Sequence, residues 1–155
     1  MNHRFGVAFF SSFLAATVSL AIVPARADSL DLSAYKGKVV YLDFWASWCT
    51  PCRQSFPWMN EVQETYGRKG LVVIGVNVDR DRELADEFLQ ATGAQFKIVY
   101  DTDGMIAGEY DFKDMPTSVL IGRDGKIRAV HNGFYPQREA AYSADINALL
   151  NEKAP

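Results

Sequence analysis

Cysteine and histidine are scarce in this chain. Of 155 residues, two are cysteines, Cys49 and Cys52, and two are histidines, His3 and His131. A closed zinc site takes four nitrogen or sulfur ligands, and the chain offers no second cysteine pair to complete one. Positive charge is scarce as well: 16 Lys and Arg stand against 19 Asp and Glu, a net charge of −3. No basic cluster appears, which speaks against nucleic acid or an anionic membrane surface as a partner, since both are bound by clustered cations. Internal repeats and low-complexity runs are absent, which excludes solenoids and arrays. Asp101-Thr102-Asp103-Gly104 lacks the later glycine and closing glutamate of a calcium loop and reads as a turn.

What is present suits one globular domain. Apolar residues make up 48% of the chain and aromatics 13%, enough for a core of ordinary size. The N-terminal segment stands apart. His3 and Arg4 precede residues 5–23, which carry no charge, and Pro24-Ala25-Arg26-Ala27 follows. A basic start, an apolar stretch and an A-x-A ending predict a signal peptide over 1–27, with an uncleaved N-terminal anchor as the competing reading. Both readings put residues 28–155 outside the cytoplasm, with a bacterial periplasm as the expected compartment. Taking Arg4 and Arg26 from the 16 basic residues leaves 14 against 19 acids, a net charge of −5.

Along that domain, Val39–Trp45 and Leu71–Val78 are nearly continuous apolar runs, as expected of strands covered on both faces. Between them, Phe56, Met59, Val62 and Tyr66 recur at helical spacing from Cys52 to Tyr66, with Gly67 as the stop and Pro57 inside as a kink. The result is a β-α-β unit with parallel strands. Asp81 is placed to cap a helix running to about Ala91, with Leu84, Phe88 and Leu89 on its apolar side. The alternating charges of Asp79-Arg80-Asp81-Arg82 read as a solvated loop. Phe96–Tyr100 is a further strand, and Met105–Tyr110 a short helix. Thr117–Ile121 and Lys126–His131 flank Gly122-Arg123-Asp124-Gly125, a hairpin signal. Gln137–Asn151 closes the chain as an amphipathic helix with Ala141, Ile146, Leu149 and Leu150 inward. This order predicts an α/β fold: a central mixed β-sheet with helices on both faces.

Three chemistries compete for Cys49-Thr50-Pro51-Cys52. A structural disulfide is compatible with export, but a two-residue spacer constrains the unfolded chain little. A metal site lacks ligands, and His131, at a strand end, reads as a surface or turn residue; a transient copper site with two thiolates stays compatible with the sequence. The third reading is a working dithiol. Cys49 falls after a strand at the start of a helix, where amides and the macrodipole stabilise a thiolate. There Cys49 is expected to be exposed and to attack, while Cys52, one turn in, is shielded and resolves the mixed disulfide. C-x-x-C within a β-α-β unit favours this reading, and it needs no cofactor beyond the dithiol.

Asp43-Phe44-Trp45-Ala46-Ser47-Trp48-Cys49-Thr50-Pro51-Cys52-Arg53 resembles the active-site segment of the thioredoxin superfamily. Pro57 matches the kinked helix of that family, and Met115-Pro116-Thr117 its cis-proline loop. The leader, the Lys36-Gly37-Lys38 entry and the inserted strand–helix material between Val78 and Tyr110 are similar to the exported TlpA/ResA-like branch. That branch often has Glu-Met-Pro where this chain has Ser55-Phe56-Pro57. The resemblance implies a thioredoxin-like fold and thiol–disulfide exchange on cysteines of exported client proteins. It further implies a reductase fed by a membrane electron donor, with cytochrome c maturation or metal-site assembly proteins as typical clients. A disulfide oxidase or isomerase, and a copper chaperone, are the alternatives. At the level of residues, it implies that Asp43 is a buried acid that moves a proton for Cys52. It also implies that Pro116 is cis and sets the Met115 backbone beside the disulfide for an extended client. Thr50 and Pro51 would help set the potential. Trp45 is expected in the core and Trp48 on the contact surface. The chain is expected to act as a monomer, without nucleic acid or metal.

Overall fold

The computed structural model describes residues 30–110 and 114–153. The predicted signal peptide, 1–27, lies outside the described residues, and no helix among those described is long and apolar enough to cross a membrane. The elements run β1 (Val39–Trp45), α1 (Thr50–Tyr66), β2 (Leu71–Asn77), α2 (Arg82–Thr92), β3 (Lys97–Tyr100), α3 (Met105–Gly108), β4 (Thr117–Ile121), β5 (Ile127–Asn132) and α4 (Glu139–Asn151). The strands form one sheet in the order β3-β2-β1-β4-β5. β1, β2 and β3 are parallel, while β4 runs antiparallel to β1 and to β5. The sheet is therefore mixed, with β1 at its centre, and the inserted material forms α2, β3 and α3.

β1 is buried along its whole length, and its residues alternate between two cores. Val39, Tyr41 and Trp45 join a cluster with Cys52, Phe56 and Met59 of α1, Ala85 and Phe88 of α2, and Tyr142 and Ile146 of α4. Val40, Leu42 and Phe44 join Ile74, Val76, Val119 and Ile121 on the opposite side. That side is covered more thinly, by Ile106 and Ala107 of α3 and by Leu30, Leu32 and Tyr35 of the entry segment.

Several predicted details shift. α1 begins at Thr50 with Cys49 as its N-cap, since Pro51 in the first turn gives up no needed N–H. In α2, Phe88 is buried and Leu89 packs against the core as predicted, but Leu84 is 47% exposed and Ala85 is buried beside it. In α4, Ile146, Leu149 and Leu150 are buried as predicted, but Ala141 faces out and Tyr142 is buried beside it; the helix starts two residues late, after a 3₁₀ turn at Pro136–Arg138. β5 starts at Ile127, and its pairing with β4 has an irregularity between Leu120 and Ile121.

Candidate active site

The chain leaves β1 at Trp45 and turns through Ala46-Ser47-Trp48 into α1. Cys49 N–H donates to the Ala46 carbonyl (3.1 Å), closing the turn. Cys49 Sγ accepts the Cys52 N–H at 3.2 Å, so the sulfur itself caps the helix. The two cysteines are joined as a disulfide with Cα atoms 5.3 Å apart. Both are more enclosed than the sequence predicts. Cys49, expected to be exposed, retains 4% of its surface, and Cys52 none. The order of access stands, but the neighbouring Trp48 (68% exposed), Thr50 and Pro51 carry the solvent-facing surface.

Asp79 is the residue most misread from sequence. It is buried at 4% exposure. Its Oδ2 accepts the Ser47 N–H (2.7 Å) and the Asn77 Nδ2–H (2.7 Å), and its Oδ1 accepts the Ser47 hydroxyl (2.9 Å). This carboxylate ties the turn before Cys49 to the end of β2. The partner lies 32 residues away in sequence, so the local charge alternation gives no sign of it.

Asp43 lies on the same side of β1 as Tyr41 and Trp45, which pack in one cluster with Cys52, and is 1% exposed. Ser118, its cross-strand partner on β4, donates to Asp43 Oδ1 at 2.6 Å, and Tyr41 OH donates to Ser118 Oγ at 2.7 Å. Asp43 Oδ2 has no hydrogen-bond partner. Burial raises the Asp43 pKa from 3.8 to about 7, against the opposing pull of the Ser118 hydrogen bond. Burial, and then the neighbouring Asp43, hold the Tyr41 phenol well above its ordinary value. On the other flank, Gly75 pairs with Asp43 from β2. A Cβ at Gly75 would come to 3.0 Å from Trp45 Nε1 and from the Phe96 ring, so a side chain there would push those rings aside.

The Met115–Pro116 bond is cis. Gly133, with φ of 74°, donates its N–H to the Pro116 carbonyl (2.8 Å), holding the β5 exit against this loop. A groove of about 320 Å³ opens there, lined by Pro51, Met115, Asn132, Phe134 and Tyr135 among others. Pro51 and Met115 thus meet in one groove. Pro116 is buried behind it, and Trp48 and Thr50 lie outside its lining. The sequence reading missed Asn132, Phe134 and Tyr135, at the end of β5 and just beyond it, where Phe134 packs 5.7 Å from Trp58 of α1. Ser118 and Tyr41 were missed too, although a serine in Thr117–Ile121 and a tyrosine two positions before Asp43 are visible signals.

His131 is not a surface residue. Its side chain is 12% exposed, its ring packs 4.9 Å from Tyr142, and its Nε2 lies 3.1 Å from Asp145 Oδ2. Among the described residues no group of three or more His, Cys, Asp or Glu is placed to hold a metal ion.

Residues 13–148 match the Redoxin family. The thiol-disulfide oxidoreductase ResA of Bacillus subtilis is 36% identical over 104 residues, covering 67% of this chain and 58% of that protein. The chain thus spans less than two thirds of that curated relative. Among solved structures, a candidate thiol:disulfide interchange protein DsbE from Chlorobium tepidum is 48% identical. It superposes with a TM-score of 0.76 over 77% of this chain and 85% of the other. A candidate protein disulfide isomerase from Bacteroides thetaiotaomicron is 29% identical, with a TM-score of 0.70 over 78% and 79%.

Proposed function

The chain belongs to the redoxin family, as a ResA/TlpA-like member of the thioredoxin superfamily, and from that premise we propose that it is a thiol–disulfide oxidoreductase acting on exported proteins. The observation that carries this reading is the Cys49–Cys52 disulfide at the N-terminus of α1, with a buried acid, Asp43, on the side of β1 that packs against that helix. In the reduced protein, the N-terminus of α1 favours a thiolate on Cys49. That thiolate attacks one sulfur of a client disulfide, forms a mixed disulfide and releases the first client thiolate. Cys52 passes its proton to the Asp43 carboxylate, and its thiolate attacks Cys49 Sγ. The second client thiolate leaves and the Cys49–Cys52 disulfide closes. Two electrons have moved to the client, and a donor dithiol must return two to this protein.

The groove beside Pro51 and Met115 supports an extended client segment as substrate. The proposed direction is reduction, outside the cytoplasm, with exported cysteine-containing clients, a membrane protein as electron donor and the chain acting as a monomer. Dithiols of this kind span about 150 mV, roughly 7 kcal/mol for two electrons, so a measured potential separates the directions. A value at the reducing end fits the proposal, and one at the oxidising end makes the protein an oxidase or isomerase. The direct test of exchange is Cys52→Ala in the native compartment. Mixed disulfides through Cys49 should accumulate and identify clients; none forming on an accessible Cys49 would refute the proposal.

A further inference from the structure

β1 and β4 place three hydroxyl and carboxyl groups in one hydrogen-bonded line, on the side of the sheet that packs against the helix carrying the disulfide, and the donors in that line run toward the acid. Tyr41 OH donates to Ser118 Oγ, and Ser118 Oγ donates to Asp43 Oδ1. All three residues are buried, and the line joins positions 75 and 77 residues apart in the chain. One oxygen of Asp43 is therefore anchored and the other, Oδ2, is buried without a partner. A hydroxyl has one hydrogen to give. With that of Ser118 committed to Oδ1 and that of Tyr41 committed to Ser118, the oxygen free to take a proton is Oδ2.

We infer that the Tyr41–Ser118 pair is a positioning device for Asp43, anchoring one carboxylate oxygen so that the other receives the proton of Cys52. The inference rests on the dithiol reading above and adds two residues to it. Its surroundings leave the hydroxyl pair without a competitor. From α1, the ionisable groups on this face are the two cysteines themselves. β2 contributes Gly75 opposite Asp43. β5 contributes His131, which pairs with Ser118 in register and is engaged by Asp145 of α4. α4 contributes the Tyr142 ring. Burial raises the Asp43 pKa and the Ser118 hydrogen bond lowers it.

Two readouts test this separately from exchange as such. In the oxidised protein, the Asp43 carboxyl carbon is titrated by NMR. In the reduced protein, single-turnover release of a client thiol from a mixed disulfide on Cys49 is followed across pH. Ser118→Ala removes the one donor to the carboxylate, and should raise the Asp43 midpoint by about one pH unit. Release should then slow about fivefold at pH 7 and match the wild type above pH 9. Ser118→Thr, which keeps the hydroxyl, should restore both midpoints. Tyr41→Phe preserves shape and should shift both upward by less; it stands in if Ser118→Ala does not fold. An Asp43 midpoint unmoved in either folded variant would overturn the inference, as would a moved midpoint with an unchanged release profile. A wild type that forms no mixed disulfide at all would instead overturn the dithiol reading, and is a distinct result.

Discussion

The two sides of β1 are made of different chemistry. Val40, Leu42 and Phe44 face a side built largely of aliphatic groups, with Ile74, Val76, Val119 and Ile121 from the neighbouring strands. Tyr41, Asp43 and Trp45 face the helices, where aromatic rings interlock: Trp45 with Phe56 (5.1 Å) and Phe88 (4.8 Å), and Trp58 with Tyr41 (5.4 Å) and Tyr142 (5.7 Å). The helix side also holds buried polar atoms without partners: Asp43 Oδ2, Trp45 Nε1, His131 Nδ1 and Tyr142 OH. An unsatisfied buried polar group costs about 1–3 kcal/mol. One strand thus stabilises the fold with its even residues and spends part of that stability on a titratable site with its odd ones, which is where departures from folding rules are expected in a functional protein.

The largest effect should come from the aliphatic side. Phe44 is fully buried at the sheet centre and packs 5.2 Å from Tyr110. Phe44→Ala should cost about 3–5 kcal/mol in urea unfolding, while exchange activity per folded molecule stays at the wild-type level. Activity falling in the folded fraction would mean that the two sides are not separable.

Asp43→Asn probes the opposite side, with the opposite sign. The folded carboxyl titrates at about 7 instead of 3.8, so between those values the folded state keeps a proton that the unfolded chain releases. Stability contributed by that proton is present below about pH 4 and is lost as pH rises toward 7. The full penalty at pH 8 is at most about 4 kcal/mol. Asp43→Asn in the oxidised protein should therefore be more stable than wild type at pH 8, by up to that amount, and about equal at pH 4. An equal difference at both pH values would show that the acid is not held at a raised pKa. The same variant should slow resolution of mixed disulfides near neutrality.

Asp79→Ala should come next, with a loss of about 1–3 kcal/mol from the Ser47 and Asn77 donors left unpaired. It should also change the pH dependence of Cys49 alkylation in the reduced protein, because the turn leading into Cys49 loses its tie to β2. Stability loss with an unchanged alkylation profile would make Asp79 a scaffold residue only.

What the sequence discloses follows the range of the interactions. β1, α1 and the β4–β5 hairpin are written in local periodicity and turn chemistry, and all three form within two residues of the expected bounds. Asp43 is legible because a carboxylate in an apolar strand needs an explanation. Asp79 is illegible because its partner is remote and its neighbours are charged. The phases of α2 and α4 follow the pattern at Phe88, Ile146, Leu149 and Leu150, and fail only at Leu84 and Ala141, near each helix start, where the neighbouring Ala85 and Tyr142 are buried instead. Cys49 is enclosed because it joins the core cluster that also holds Trp58 and Phe134, a tertiary packing that the C-x-x-C spacing does not specify.

The smallest effect on stability should come from Trp48, where the helix side reaches solvent. With 68% of its surface exposed, Trp48→Ala should change unfolding free energy by no more than about 0.5 kcal/mol. Its contribution would lie in recognition: a large aromatic on the turn before Cys49 offers contact area to a protein but little to a small reagent. The variant should raise KM for a protein client while leaving reduction of a small-molecule disulfide unchanged. If both substrates suffer equally, Trp48 acts on the dithiol itself, and the aromatic packing of the helix side extends functionally to the rim. If neither changes, recognition rests on the groove between Pro51, Met115 and Tyr135, and the boundary between the two regions falls at Cys49.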